Sequence, residues 1–261
     1  AQDVRRSKKE KDKFFSPIAL PVKQHKENNY VDYDKEVLAP KMLSREGPAI
    51  AVGDINQDGY EDLFLGNAAG QAPQLLLQNS KGEFTLTQEE FFARQKDYED
   101  TAAQFIDVDN DGDLDLFVGS GGNDSTLAKQ LYLDRIYRND GAGNFSVAGD
   151  LLPQYFSNTS VIAPYDMDQD GDLDIFIGNR SKTGVYGITP NSVFLENDGE
   201  GRFKDATGLK AYDASEIGMI TDAKWVEMTG DDKKDLVLVL AHPEFLALRI
   251  DTKFKTSLPE F

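Results

Sequence analysis

Cysteine is absent from the 261 residues, which excludes disulfides, thiolate chemistry and cysteine-based zinc sites. Histidine is scarce. His25 and His242 lie far apart in sequence, so neither a histidine metal centre nor a histidine-based triad is expected. No apolar run approaches the ~18 residues of a membrane helix, and the N-terminus lacks the apolar core of a signal peptide. The expectation is a soluble chain that is not transmembrane, with any secretion signal already removed or lying outside this sequence. Basic residues are outnumbered, 28 against 46 acidic, for a net charge of −18. Phosphate binding needs a basic face, so this balance argues against nucleic acid as a partner.

Hydrophobic residues make up 39% of the chain and aromatics 10%, enough for a packed core. The organising feature is an internal repeat. Four segments align: GDINQDGYEDLFLGN from Gly53, IDVDNDGDLDLFVGS from Ile106, YDMDQDGDLDIFIGN from Tyr165 and VEMTGDDKKDLVLVL from Val226. Their first acids, Asp54, Asp107, Asp166 and Glu227, are spaced by 53, 59 and 61 residues. A second motif follows in register: LLLQNSKGEF from Leu75, IYRNDGAGNF from Ile136 and VFLENDGEGRF from Val193. An asparagine and a glycine-containing turn between apolar runs signal a hairpin.

Each unit therefore reads as two hairpins in series, which is one four-stranded propeller blade. In the first unit the predicted strands are 49–53, 63–66, 74–78 and 83–86. In the fourth they are 223–227, 236–241, 245–250 and 254–257, with Asp251-Thr252 at the last turn. The predicted fold is all-β, a β-propeller of four-stranded antiparallel blades. Four blades are counted, at about 46–100, 101–160, 161–217 and 218–258, forming either a closed four-bladed ring or part of a larger propeller. Residues 1–13 hold six Lys or Arg against three acids and read as a disordered arm. Residues 14–45 carry Phe14, Phe15, Ile18, Leu20, Val22, Tyr30, Tyr33 and Leu38, apolar material expected to pack as an N-terminal extension on the propeller. A helix is predicted over 88–96, between the first two blades.

The acidic segments carry the chemistry. Numbered from the first acid, the first offers Asp54, Asn56, Asp58 and Asp62 at positions 1, 3, 5 and 9. The second offers Asp107, Asp109, Asp111 and Asp115, and the third Asp166, Asp168, Asp170 and Asp174. Calcium takes six to eight hard oxygen ligands at about 2.3–2.6 Å. Oxygens at 1, 3 and 5 can curl around one point when glycine at position 6 (Gly59, Gly112, Gly171) permits a sharp turn. Position 7 (Tyr60, Asp113, Asp172) can add its backbone carbonyl, and position 9 a carboxylate. Three bound Ca²⁺ would bring the net charge from −18 to −12.

The EF-hand shares the first half of this pattern but needs a glutamate at position 12 and flanking helices. Here position 12 is Leu65, Val118 or Ile177, and the flanks are strand-like. An acidic turn without metal is the bland alternative, and three copies at identical ligand spacing argue against it. The fourth loop, Glu227 to Asp235, has Asp232 where the others have glycine and Lys233 and Lys234 beside the site, so a weak or empty site is expected.

These loops resemble the FG-GAP or VCBS repeats of integrin α-like propellers. SREGPAIAVGDINQDG from Ser44, DRIYRNDGAGNF from Asp134, Gly178-Asn179-Arg180 and GMITDAKW from Gly218 are similar to bacterial VCBS proteins related to cartilage acidic protein, the ASPIC/UnbV group. The resemblance covers about residues 38–240. It implies a calcium-stabilised propeller that is extracellular or on the cell surface, periplasmic or outer-membrane association included, and that binds an extracellular protein or glycan in adhesion or recognition.

Two other readings stay open. One is a polysaccharide-acting enzyme with its site over the propeller channel, for which Glu46, Glu99, Asp100, Asp134, Arg135 and Arg180 are candidates. Nothing in their spacing selects a reaction, so a non-enzymatic chain is expected. The other is a fragment of a larger secreted protein with no activity of its own. Trp225, Tyr186 and Tyr155 could stack on sugars, though such residues more often pack between blades. Asn123-Asp124-Ser125 and Asn158-Thr159-Ser160 match the glycosylation sequon.

Overall fold

The computed structural model describes residues 18–37, 39–210, 217–228, 230, 233–241 and 245–248. The 1–13 arm, Phe14, Phe15, Leu38, His242, Thr229, Asp231, Asp232 and the predicted last turn and strand lie outside the described residues.

The described residues form antiparallel meanders in sequence order. Blade one is β1 (Ile50–Gly53), β2 (Asp62–Leu65), β3 (Gln74–Gln78) and β4 (Phe84–Thr87). Blade two is β5 (Asp100–Ile106), β6 (Asp115–Ser120), β7 (Arg135–Asn139) and β8 (Phe145–Val147). Blade three is β9 (Thr159–Tyr165), β10 (Asp174–Asn179), β11 (Val193–Asn197) and β12 (Phe203–Asp205). Blade four shows β13 (Ile220–Val226), β14 (Asp235–Leu240) and β15 (Phe245–Leu248). The predicted second strands start one residue early in the structure, because the position-9 acid already pairs across the sheet, as in Gly53 opposite Asp62. The expected 88–96 helix is a single α-turn, α1 (Glu89–Phe92), that tightens into a 3-10 turn at Ala93–Gln95.

The innermost strands stand side by side in the order β1, β5, β9, β13. Three apolar layers fill the gaps between blades. Phe64, Leu75, Phe105, Leu116 and Tyr137 lie in the first, Ile106, Phe117, Ile136, Ile175 and Leu195 in the second, and Phe176, Phe194, Trp225, Leu236 and Leu238 in the third. Phe64, Phe117 and Phe176 occupy the same repeat position and are fully buried, which stabilises each blade by about 2–3 kcal/mol. β6 and β10 are buried at every residue, whereas β2 alternates buried and half-buried. Blades two and three have a neighbour on both faces. Among the described residues blade one has a neighbour on one face, and its other face exposes Ile50 (58%) and Val52 (47%). Among the described residues, no strand of blade four packs on blade one as β1 packs on β5. The described blades thus follow one another as an open arc.

Two repeated devices set the spacing between blades. The first is a glycine at the end of the second strand: a Cβ on Gly119 would sit 2.4 Å from the Thr159 side chain, and one on Gly178 would sit 2.6 Å from Val161 and 2.8 Å from Ile220. Gly119→Val should therefore destabilise the fold by about 1–3 kcal/mol, because Thr159 Cγ2 and Cβ stand where the new side chain must go. Urea unfolding of the variant beside the parent would measure this, and an unchanged midpoint would contradict the close approach.

The second device is the asparagine that ends the third strand. Asn139 Nδ2 donates to the Ile55 carbonyl of the preceding blade (2.7 Å) and to the Leu114 carbonyl (3.1 Å). Asn197 Nδ2 repeats this on Val108 (2.8 Å) and Leu173 (3.1 Å). Their Oδ1 atoms accept the next N–H, from Asp140 and Asp198, each at 2.9 Å. The same asparagine thus shapes its own turn and grips the blade before it.

The segment before blade one lies on the loops joining second and third strands. Gln74 exchanges two hydrogen bonds with the Lys23 backbone, Gln71 bonds Gln24 and Lys26, and Tyr30 Oη lies 3.1 Å from Ser125 Oγ. Beside these polar contacts Leu43 is buried and Leu20, Val22 and Tyr30 are half-buried. Ile18 (76%) and Tyr33 stay exposed, while Asp32, Glu36 and Ser44 are buried.

Candidate metal centres

Loops 54–62, 107–115 and 166–174 join the first and second strands of their blades, so all three lie at one end of the arc. Each reverses direction through two left-handed residues. At position 6 these are Gly59 (φ 86°), Gly112 (φ 91°) and Gly171 (φ 103°). At position 4 they are Gln57 (φ 57°), Asn110 (φ 58°) and Gln169 (φ 64°). A left-handed non-glycine residue costs roughly 1–2 kcal/mol, so each loop holds strain that its contacts must offset. In the fourth loop Gly230, at position 4, is left-handed as well (φ 74°). Sequence reasoning missed position 4 because glutamine, asparagine and, in the fourth loop, glycine hide the shared backbone angle.

Backbone N–H groups fix the ligand oxygens. The position-1 carboxylate accepts the position-6 N–H in every loop: Asp54 from Gly59 (2.8 Å), Asp107 from Gly112 (3.0 Å) and Asp166 from Gly171 (3.2 Å). The position-5 carboxylate accepts the position-7 N–H: Asp58 from Tyr60, Asp111 from Asp113 and Asp170 from Asp172. In the second loop, oxygens of Asp107, Asp109 and Asp111 lie within 4.8 Å of one another, and in the third so do those of Asp166, Asp168 and Asp174. In the first loop Asp58 N–H donates to both Asp54 Oδ1 (3.0 Å) and Asn56 Oδ1 (3.1 Å), drawing positions 1, 3 and 5 together.

The position-9 acids do more than the spacing foretold. Asp62 and Asp174 are fully buried and Asp115 is 1% exposed. Each accepts an N–H from the end of the third strand: Asp62 from Gln78 (2.7 Å), Asp115 from Asn139 (2.8 Å) and Asp174 from Asn197 (3.0 Å). Asp62 and Asp174 also accept the position-2 N–H, from Ile55 and Met167. They tie the loop to its own blade, and Asp174 also joins the acidic cluster.

Position 7 differs between loops. The Tyr60 side chain points to solvent, Asp113 accepts from Gln57 Nε2 (2.8 Å), and Asp172 is buried beside Asp170. In the fourth loop Gly230 N–H bonds Glu227, Asp235 is buried, and the Lys234 ammonium sits 5.3 Å over the Tyr165 ring.

Burial and mutual repulsion raise the pKa values of these acids. Asp115 is pushed up to about 6, first by desolvation and then by Asp111 and Asp107. Asp172 is pushed up to about 6 by desolvation and by Asp170, Asp174 and Asp168. Asp62 is raised, desolvation leading. Arg138 answers this charge in the second loop: it contacts Asp109, lies 3.8 Å from Asp115 and donates to the Glu200 carbonyl (2.6 Å).

The carboxylates outside the loops are engaged elsewhere. Asp100 pairs with Arg135, which also stacks 3.9 Å from the centre of the Tyr98 ring. Asp134 is buried under Ser120 N–H, Tyr155 Oη, Ser157 Oγ and Thr159 Oγ1, its pKa raised to about 6 by desolvation. Glu99, raised to about 7 mainly by desolvation, accepts from Ala69 N–H and Asn28 Nδ2. Trp225 packs between blades three and four and donates to the Ala163 carbonyl (3.1 Å). Asn123 (0% exposed) and Asn158 (5%) are buried, so neither sequon presents its amide on the folded surface.

At the opposite end of the inner strands Glu46 forms ion pairs with Lys41 (2.5 Å) and Arg180 (3.3 Å). With Arg45 these residues line a cleft of about 380 Å³ whose floor includes Thr101, Asn158, Ser160 and Thr221. Thr101 and Ser160 hydroxyls bind carbonyls of the following blade, Thr159 (2.5 Å) and Ile220 (2.7 Å). Sequence reading named Glu46 and Arg180 singly. Their meeting depends on the arc, which brings position 46 beside position 180.

Fold and loops together define a propeller-type repeat protein with acidic, oxygen-rich loops on one rim. The profile of the FG-GAP-like repeat family matches residues 54–118 and 107–177, so the chain carries two such repeats in tandem. Comparison with curated proteins gives no match, and the narrower ASPIC/UnbV resemblance rests on the sequence motifs alone.

The repeats imply calcium, and the loops fit it. Every side-chain donor at positions 1, 3, 5 and 9 is oxygen. Asp107 Oδ1, Asp109 Oδ1 and Asp172 Oδ1 are buried with no hydrogen-bond donor among the described residues, as expected where a cation supplies the missing partner. A proton competes with that cation. As pH falls through about 6, Asp115 and Asp172 gain protons in the metal-free loop, and an incoming ion must displace them. Calcium affinity should thus be full above pH 7 and drop roughly tenfold by pH 5. Calorimetric titration across that range would test this, and a flat profile would contradict it.

Proposed function

We propose that this chain is a non-catalytic, extracellular recognition module whose acidic rim binds calcium and whose opposite rim binds an acidic group on a protein or glycan. The carrying observation is the separation of charge. In a chain of net charge −18, the Lys41, Arg45 and Arg180 cleft sets three cations against the single carboxylate of Glu46. The acidic loops lie at the other end of the inner strands, about 20 Å away along seven residues. A cationic cleft in a negative field favours anionic partners and rejects others. Arginine suits carboxylate or sulfate geometry because its fork bonds two oxygens at once. The repeats add the association with propeller-type adhesion modules. Calcium holds the loops whose blades position the cleft.

The test is binding to immobilised polygalacturonate against neutral dextran in 1 mM calcium. Acidic polymer should bind selectively, and Arg45→Ser with Arg180→Gln should weaken it roughly tenfold or more, as loss of charge-assisted bonds requires. Equal retention on both polymers, or a double variant that binds like the parent, would overturn this reading.

A further inference from the structure

A second kind of acidic site lies outside the loops, where the segment before blade one meets blade two. Asp32 is fully buried and Glu36 is 7% exposed. One amide nitrogen, Asn123 Nδ2, contacts both, at 2.8 Å from Asp32 Oδ1 and also against Glu36 Oε2. The two carboxylates therefore face one another across a single neutral group. Ser44 supplies the remaining donors, its N–H at 3.1 Å from Asp32 Oδ1 and its hydroxyl at 2.5 Å from Asp32 Oδ2. Glu36 Oε1 is buried with no hydrogen-bond donor among the described residues. Among the described residues neither carboxylate has a lysine, arginine or histidine within ion-pair distance.

Two buried carboxylates without a counter-charge cost several kcal/mol unless a cation joins them. We propose that Asp32, Glu36 and Asn123 form a separate calcium site that clamps the N-terminal segment to blade two. The donor set is all oxygen: two carboxylates, the Ser44 hydroxyl and an amide. It contains neither imidazole nor thiolate, which selects a hard divalent ion. The Asn123 amide takes part by turning over, which brings Oδ1 to the two carboxylates and gives up its 3.1 Å bond from Gly184 N–H. Nitrogen and oxygen of an amide are assigned from their hydrogen bonds, and a cation reverses that assignment. The orphaned Glu36 Oε1 gains a partner in the same step. Ser44 immediately precedes Arg45, so the ion also fixes one wall of the cationic cleft.

Glu36→Gln tests this, with calcium as the probe. In the parent, hydrogen exchange of peptides covering 30–46 should slow roughly tenfold on adding 1 mM calcium, as binding to the closed state requires. In Glu36→Gln that slowing should vanish, bound calcium by elemental analysis should fall by one ion per chain, and peptides over 107–115 should keep their own response. A double variant, Asp107→Asn with Asp166→Asn, should show the reverse, with the 30–46 response intact. The proposal is overturned if Glu36→Gln keeps the parent's ion count, or if its 30–46 peptides respond to calcium as the parent's do. It is equally overturned if Glu36→Gln is more stable than the parent at saturating calcium, because the pair would then share a proton instead of an ion.

Discussion

Asp107→Asn should remove one calcium ion per chain and cost more stability than any other single change in the three loops. The substitution is nearly isosteric, and asparagine Oδ1 can still accept the Gly112 N–H that Asp107 holds at 3.0 Å. What it removes is a full negative charge from a cluster in which Asp107, Asp109 and Asp111 converge within 4.8 Å. The second loop is also enclosed from both sides, with blade one touching it through Gln57 and its own blade's Arg138 linking Asp109 to the Glu200 carbonyl of blade three. A ligand at one hundred times its Kd stabilises a folded state by about 2.7 kcal/mol. Losing that site should lower the calcium-saturated Tm by about 4 °C or more. In excess chelator the variant should melt at or slightly above the parent, since relief of repulsion is then the only effect. Thermal melts in both conditions, with ion counts, measure this. A parent whose Tm ignores calcium would end the metal reading of all three loops.

The second large effect is expected at Arg135. Its guanidinium is 11% exposed and pairs with Asp100, itself 1% exposed, while Tyr98 stacks on it and Tyr137 Oη lies 3.0 Å away. Arg135→Met would keep the length of the side chain and most of the packing but leave Asp100 as an unpaired buried charge. Breaking a buried pair from one side typically costs 3–5 kcal/mol. The double variant with Asp100→Asn should recover most of that loss, because the stranded charge is gone and Asn67 N–H, at 3.2 Å from Asp100 Oδ2, keeps an acceptor. Denaturant unfolding of the four-member cycle would measure the coupling. Simple additivity would show that the pair is not a unit.

The repeat was legible in the sequence because two signals coincided. Acids at fixed spacing marked the first hairpin of each blade, and an asparagine followed by a glycine-containing turn marked the second in blades one to three. Strand order, antiparallel pairing and most boundaries followed from that. What the residues did not reveal is what happens between blades. The glycine at Gly119 reads as a weak strand former, and its reason appears only when Thr159 arrives 2.4 Å from its missing Cβ. Asn139 reads as a turn residue, yet its amide also binds a carbonyl 84 positions earlier. The segment before blade one was expected to pack through apolar residues from Phe14 to Leu38. Among the described ones Leu20, Val22 and Tyr30 are half-buried and Ile18 and Tyr33 exposed, and the hydrogen bonds to blades one and two come from polar groups, Lys23, Gln24 and Asp32 on Gln74, Gln71 and Asn123, which the apolar pattern did not point to. The cationic cleft was invisible for the same reason: Arg45 and Arg180 are neighbours only once three blades have curved past one another.

The asparagine grip gives metal occupancy a direction of travel. Ile55 and Val108, whose carbonyls receive Asn139 and Asn197, are the residues between ligand positions 1 and 3 of the first and second loops. An ion that orders loop one therefore orders the acceptor for blade two, and blade two orders loop two, whose Val108 then receives blade three. Stability in such a chain is a sum over nearest neighbours. Emptying one loop weakens the next blade before it weakens its own. With calcium in the loops as proposed, the arc should respond to its withdrawal as a row of linked dominoes and not as three independent stoppers.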